Sequence, residues 1–535
     1  MRHHRLGHGM LVAGLVGVAS AALGAGSPWR DSRGPGGVVL RLDERLKFPV
    51  PRPEDLPLVS SGEATLPQLI SEGEQVWYFG APLEGEPFGV PAGVFDVAFG
   101  AAPPGGRRPF FDVLQGFTRI GLSMQGDEAL PRGFVRVASP EPLITQNCSA
   151  CHSGVVEGQL IPGVGNKWYN QRAIIDGARA LMTAAIPLLQ ARPDPEGRRL
   201  LAQTRNQLAK LERYDALYSA GCKDLAPGMI TAARIWQISS RLLHDPAQLS
   251  TRKGQQKFEC GATKPPPLNT LKFRNLLFWD GSVNSLWVAH WPMFDFFGFD
   301  NYARWEQKIQ TREVQALDAF VVFGTQSPSW ESVMKTQIHT REAQAGYQLF
   351  HTENGCASCH GTYGKDGMLK AFQPSITPLA VIGTDEERAR AAFDGLMQEF
   401  AQYGWASVPR LNGLKEYAPG YAPMPLCSTF LNFPYLHTAG VANLDELLLP
   451  QEQRARGYWM ADFTDKERVG YWTGAVPPPP PRTVPPMVPP PRVERRQFSE
   501  ERVNGHSGAR FGTTLNGTQR RQLIEYLKTL RCPEE

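Results

Sequence analysis

Apolar residues recur at helical spacing in five stretches of the chain. Arg341–His351 carries Gly346, Leu349 and Phe350, and Thr518–Leu530 puts Leu523, Ile524, Leu527 and Leu530 on one stripe. Gln171–Gln190 aligns Ile174, Ala178, Leu181 and Met182, and Glu196–Ala220 and Met229–His244 show the same period. Each pattern predicts an amphipathic helix. Residues 27–145, rich in glycine, proline and aromatics, read mostly as loops and short strands, and residues 264–305 are dense in aromatics. Val476–Arg492 is almost pure proline, with Pro477 to Pro481 in one run. Such a stretch has no amide hydrogens to share and predicts an extended surface loop.

Composition narrows the class. The 535 residues are 42% hydrophobic and 20% charged, which fits a globular chain of several domains. With 56 basic against 52 acidic side chains the formal charge is +4, too balanced for a protein that lives on nucleic-acid phosphates. The 53 glycines and 46 prolines predict many turns between a modest set of helices.

The first residues read as an export signal. Arg2 and Arg5 stand without an acid before Met10–Leu23, a small and apolar run of 14 residues followed by small residues suited to cleavage. The run falls short of the roughly 20 residues that span a bilayer. Residues 1–26 are therefore expected to be a signal peptide, and the mature protein to be periplasmic or secreted without a membrane span. Removal takes Arg2 and Arg5 away and leaves +2.

Two pentapeptides carry the strongest chemistry. Cys148-Ser149-Ala150-Cys151-His152 and Cys356-Ala357-Ser358-Cys359-His360 both read C-x-x-C-H. In that pattern two thiols add to the vinyl groups of one haem, and the adjacent histidine ligates its iron. The covalent haem c ligands are then Cys148, Cys151, Cys356 and Cys359, and the proximal axial ligands His152 and His360. A zinc site would need four ligands, and no second C-x-x-C lies beside either motif. The helix 341–351 stands just before the second motif, whereas Pro140 and Pro142 interrupt the approach to the first. Cys222, Cys260, Cys427 and Cys532 remain, and in an oxidising compartment they allow three disulfide connectivities.

Two such motifs about 200 residues apart, each followed by a related segment, resemble the bacterial di-haem cytochrome c peroxidase superfamily. That group includes the di-haem enzyme that matures methylamine dehydrogenase and the rubber oxygenases. The related segments are Pro267-Leu268-Asn269 through Phe278-Trp279-Asp280-Gly281-Ser282 to Leu286, and Pro409-Arg410-Leu411-Asn412 through Phe433-Pro434-Tyr435-Leu436-His437 to Leu444. Gly512–Leu530 resembles the end of the family's second haem domain. Both pentapeptides, and the distance from the first to the Phe-Trp-Asp-Gly segment, bring the rubber oxygenases closest. The resemblance covers roughly residues 140–535. It implies a mainly α fold, two cytochrome c-like haem domains in one chain with long loop insertions. The expected organisation is an active-site haem domain over 27–330 and an electron-transfer haem domain over 331–535, the latter containing the proline-rich loop 476–492.

The resemblance also assigns roles. Trp279 resembles the tryptophan that carries electrons between the haems, with Phe278 beside it, and Phe294 resembles a pocket phenylalanine of the rubber oxygenases. His506 stands where the family places the second axial ligand of the second haem, with His437 and Met424 as rivals. The glutamine and glutamate that peroxidases hold over the first iron fall on Val288 and Gly298, although a shifted register brings in His290, Asp295 or Asp300. No histidine occurs between His152 and His244, where peroxidases carry a switchable one. The resulting expectation is an oxidoreductase with two covalently attached haems c, calcium being a further candidate ion. The reaction favoured is dioxygen insertion across a carbon–carbon double bond of an apolar, polyisoprene-like substrate. Peroxide reduction fed by an electron-carrier protein, modification of another protein, and pure electron transport stand as alternatives.

Overall fold

The computed structural model describes residues 56–80, 89–99, 130, 132–137, 141–218, 222, 228–231, 260–274, 276–281, 310–373, 375–392, 419–479 and 493–534. The signal peptide, Phe294 and the run 287–300, Pro409–Asn412, and most of the proline-rich loop lie outside these residues.

Helix α1, Leu66–Phe79, starts at a capping box in which the Thr65 side chain and Gln68 satisfy each other's backbone amides. Its buried face is Leu69, Gly73 and Trp77, four residues apart each time. The Cys148–His152 turn, α2, is capped by Asn147. It follows β2 (Leu143–Gln146), the middle strand of a sheet with β1 (Phe134–Val137) on one edge and Val90–Pro91 on the other. Strands β3 (Ser153–Val156) and β4 (Gln159–Pro162) form a hairpin directly after the motif. Then come α3 (Gln171–Gln190) and α4 (Pro195–Tyr218), packed on each other and tied by Arg172 and Arg179 to Asp215. By length and composition α3 is apolar enough to cross a membrane, yet these ion pairs fasten its polar face to α4. Helix α5 (Arg312–Ala319) runs into a π-turn at Phe320–Gly324. In the second half of the chain α6 (Thr340–Phe350) precedes the short α7 (Ala357–His360), and α8 (Gly517–Thr529) opens at an Asn516–Gln519 capping box. Strands β5 (Gly457–Ala461) and β6 (Val493–Gln497) pair across the proline-rich loop.

Two helix crossings repeat one design. At α1–α5 a Cβ on Gly73 would overlap the carbonyl oxygen of Ala316, and at α6–α8 one on Gly346 would overlap that of Gln522. One turn further along each pair two rings meet. Trp77 and Phe320 lie 5.7 Å apart, and Phe350 and Tyr526 5.5 Å apart. All four residues follow their crossing partner by four positions, the spacing of one helical face. Glycine is required because the backbones touch. Gly346→Ala is expected to destabilise the protein by about 1–3 kcal/mol or more through overpacking, measured by urea unfolding. Thr340→Ala, at the same helix's exposed N-terminus, should change little.

Among the described residues the largest apolar core lies around the second half, from Trp330 and Phe350 through Phe430 and Phe433 to Tyr526 and Leu530. Cys427–Cys532 closes it with a Cα–Cα distance of 5.2 Å, and Cys222–Cys260 pairs at 5.6 Å. Of the three connectivities open in the sequence, the structure takes this one. Replacing Cys427 and Cys532 by alanine opens a loop of 105 residues and is expected to cost about 2–4 kcal/mol, seen as a lowered denaturant midpoint without reductant.

Three expectations change. Residues 27–145 hold the full helix α1, so the first motif does have a preceding helix, displaced upstream by the insertion between Phe79 and Cys148. The stretch from Met229 begins extended, since Met229 bridges to Asn170 and Ile230 to Thr263, so no helix starts there. The remainder of that stretch, from 232, lies outside the described residues. The second related segment aligns through Met424-Pro425-Leu426 rather than Pro409, as set out next.

Candidate functional site

A constant separation of 158 positions relates the two segments that follow the cysteine motifs. Pro267-Leu268 matches Pro425-Leu426, and the 3-10 turn Leu271–Phe273 matches Thr429–Leu431. The left-handed residues Phe278 (φ 59°) and Gly281 (φ 66°) match Leu436 (φ 61°) and Ala439 (φ 55°). Phenylalanine, leucine and alanine rarely adopt that conformation, so the agreement reflects one backbone design used twice. Under it Trp279 corresponds to His437.

Each segment turns a backbone carbonyl toward its own motif histidine, but only one closes a hydrogen bond. His360 Nδ1 lies 2.8 Å from the Met424 carbonyl oxygen. The position equivalent to Met424 is Pro266, whose carbonyl faces His152 without closing a hydrogen bond, leaving the buried Nδ1 unpartnered. Burial pushes His152 down to about 4, against the upward pull of that carbonyl. A carbonyl on Nδ1 fixes the tautomer and leaves Nε2 as the coordinating nitrogen.

The second motif opens on a large apolar cleft, with about 1370 Å³ of space partly open to solvent. Cys356, Cys359 and His360 line one side and His506 the other, with Trp279, Met424, Leu436 and Leu527 between. The His360 and His506 rings lie 6.4 Å apart, centroid to centroid. Two metal–imidazole bonds of about 2.0 Å in line, plus the radii of the two rings, give centroids roughly 6 Å apart. The separation fits one metal between them. His506 is held there under constraint. It takes φ 53° between Gly505 and Ser507, and its amide donates to Ile382 O at 2.7 Å. The Arg454 guanidinium donates to the carbonyls of Val503, Gly505 and His506, clamping the loop. Burial, with the His360 ring and the Arg454 charge behind it, pushes His506 down to about 3. Its Nδ1 is buried without a hydrogen-bond partner, a polar atom whose desolvation nothing offsets.

Of the two rivals for that position, His437 is engaged through its ring and Met424 only through its backbone. His437 stacks on Tyr421 at 4.1 Å, and its Nε2 stands 3.8 Å from the Asp385 carboxylate. Met424 lends its backbone carbonyl to His360. Both line the cleft.

All four motif cysteines are free of disulfides. Burial pushes Cys148 and Cys151 up to about 12 and Cys356 to about 11, so these are not reactive thiolates. Cys148 packs beside Trp77, Leu268 and Phe320 at the first helix crossing. The residues therefore suit two covalently attached haems c. A haem at the second motif would have the His360 and His506 imidazoles to either side, and one at the first motif would rest on His152 beside the Pro266 segment. Among the described residues no group of three or more His, Cys, Asp or Glu gathers as an ion site.

Trp279 stands on the wall of the second cleft, and its Nε1 donates to the Lys264 carbonyl at 2.8 Å. The Lys264 amide in turn donates to His437 O at 2.9 Å. A hydrogen-bonded strand thus joins the two equivalent residues of the repeat. The Phe278 ring lies 5.5 Å under the Arg388 guanidinium. Phe294 lies outside the described residues. The sequence reading passed over Lys264, Asp280, Arg388 and Lys167, all buried. Lys264 and Asp280 sit beside and within the repeated segment, so the 158-residue alignment was a signal that could have found them, whereas Arg388 lies outside both segments and meets Asp280 only in the fold.

No family model matches the chain. Over 166 residues it is 28% identical to the cytochrome-c peroxidase IdrP2 of Pseudomonas sp. (strain SCT), a match that takes in 25% of this chain and 45% of that protein. The chain therefore spans less than half the length of the curated relative it matches.

Proposed function

We propose that this chain is an exported di-haem c oxidoreductase of the peroxidase type, built from two cytochrome c-like units whose motifs are each bracketed in sequence by a crossed helix pair. The observation that carries the reading is the pair of imidazoles, His360 and His506, facing across the second cleft at 6.4 Å; among the described residues the first motif brings His152 to its segment without such a facing histidine. When bound, the haems would supply one iron closed on both faces for electron storage and one iron for the oxidant. In this reading Cys148, Cys151, Cys356 and Cys359 hold the groups covalently. His152 and His360 orient them, with carbonyls of Pro266 and Met424 behind the rings. Trp279, fixed by Lys264, offers a π-system between the two sites. The peroxidase relative supports peroxide as the oxidant, taken with two electrons and two protons to water.

A second reading keeps dioxygen and an apolar olefin as substrates. It is favoured by a histidine, rather than a methionine, opposite His360, as the rubber oxygenases use a histidine there. One experiment separates the two with the haem-loaded protein. Rapid peroxide-dependent oxidation of a reduced small cytochrome c supports the peroxidase. Oxygen uptake on polyisoprene latex with carbonyl-ended fragments would replace it with the oxygenase. If neither occurs, and both haems stay low-spin in every oxidation state, the catalytic reading falls and an electron carrier remains.

A further inference from the structure

Between the two cleft segments lies a smaller cavity with an unusual charge. Lys167 and Lys264 both line it, each more than nine-tenths buried, with Asn166, Asn432, Phe433 and Pro434. Among the described lining residues there is no carboxylate. The Lys264 ammonium donates to the carbonyls of Asn432 and Pro434, and it lies 5.3 Å from the Trp279 ring. Lys167 has the Phe433 ring at 4.3 Å and no hydrogen bond at all. Carbonyl dipoles and ring faces offset part of the cost of burying a cation, but a buried charge without a counter-ion remains several kcal/mol unfavourable. Burial alone pushes Lys167 down to about 7, and Lys264 falls well below its usual range under burial and the Lys167 charge. The free space admits the centre of little more than one water-sized particle, which excludes sulfate, carboxylates and larger ligands.

We propose that this cavity binds a single small inorganic anion of halide size, held between the ammonium groups of Lys167 and Lys264. The unpartnered Lys167 ammonium provides the main contact, and the third hydrogen of Lys264 the second. The inference does not depend on which oxidant the protein uses. Its consequence for function is local: a bound anion would cancel positive charge beside Trp279 and so ease removal of an electron from the indole.

The test uses the full-length protein at constant ionic strength, with sodium gluconate exchanged stepwise for sodium bromide. Thermal unfolding of the unaltered protein should rise by a few degrees and saturate with bromide. In Lys167→Met, which keeps the packing on Phe433, the bromide-dependent rise should vanish. If gluconate and bromide curves superimpose, or if the saturable rise persists in Lys167→Met, the proposal is overturned. Bromide-soaked crystals of the unaltered protein give a second measurement that needs no variant. An anomalous peak between the two ammonium groups is expected, and its absence counts against the site.

Discussion

Asp280→Asn is expected to destabilise the protein by about 3–5 kcal/mol, because it strands a buried guanidinium. The Asp280 carboxylate pairs with Arg388, and the two side chains are 3% and 2% exposed. It also faces Arg274, whose guanidinium is pushed down to about 10 by burial, against the favourable pull of Asp280. Arg274 Nε and Nη1 and Arg388 Nη1 are buried without a hydrogen-bond partner, so no other acceptor stands at these nitrogens when the carboxylate charge is lost. Asparagine keeps the shape and removes the countercharge, which is the costly half of the exchange. The companion variant Arg388→Met leaves Asp280 facing Arg274, and the double variant should cost less than the sum of the two singles. Urea unfolding of the four proteins measures the coupling. Near-additivity would show that the pair is solvated. Asp280 follows Trp279 directly, while Arg388 follows Asp385, the carboxylate beside His437. The pair thus ties the first segment to the turn that carries Asp385, and its loss should also slow electron passage between the sites.

The legible part of the molecule was local. C-x-x-C-H is complete in five residues, and the helices 171–190, 341–351 and 518–530 announce themselves by period, the structure giving Gln171–Gln190, Thr340–Phe350 and Gly517–Thr529. His506 was legible through a Gly-rich step at a resembling distance from the last helix. What escaped depends on contacts far apart in the chain. Helix α1 carries Leu69, Gly73 and Trp77 on one stripe, but an insertion separates it from Cys148, and its partner α5 is more than 230 residues away. Gly73 looks like an ordinary helix glycine until Ala316 is known to lie against it. The start of the second segment is ambiguous in the sequence, because the Pro-Arg-Leu-Asn run at Pro409, which lies outside the described residues, imitates Pro-Leu-Asn. Backbone conformation, with positive φ at Phe278 and Leu436 in step, fixes the register that residue identity left ambiguous. Met229 and Ile230 show the known weakness of short apolar runs, which suit a bridging strand as well as a helix.

The sharpest discriminator is His506→Ala set against His437→Ala. If His506 is the sixth ligand of the second haem, its loss opens one face of an iron that was closed. One haem of the two should then convert wholly from low-spin to high-spin in the optical and electron paramagnetic resonance spectra, with its potential raised, since an electron-donating imidazole has been removed. Added imidazole should restore the low-spin signal, because the cleft behind the missing side chain is already apolar and of the right width. His437→Ala should leave both spin states alone. That side chain stacks on Tyr421 and faces Asp385, so its removal loosens packing beside Trp279 without touching a metal. Arg454→Met supplies the intermediate case. It leaves the imidazole in place but frees the carbonyls of Val503, Gly505 and His506 from their clamp. The left-handed turn at His506, unfavourable for any side chain with a Cβ, would then lose its restraint. A temperature-dependent mixture of spin states is the expected outcome. Should His437→Ala, and not His506→Ala, produce the high-spin haem, the facing pair at 6.4 Å would be a packing contact and the electron-storing role of the second site would have to be rebuilt around His437.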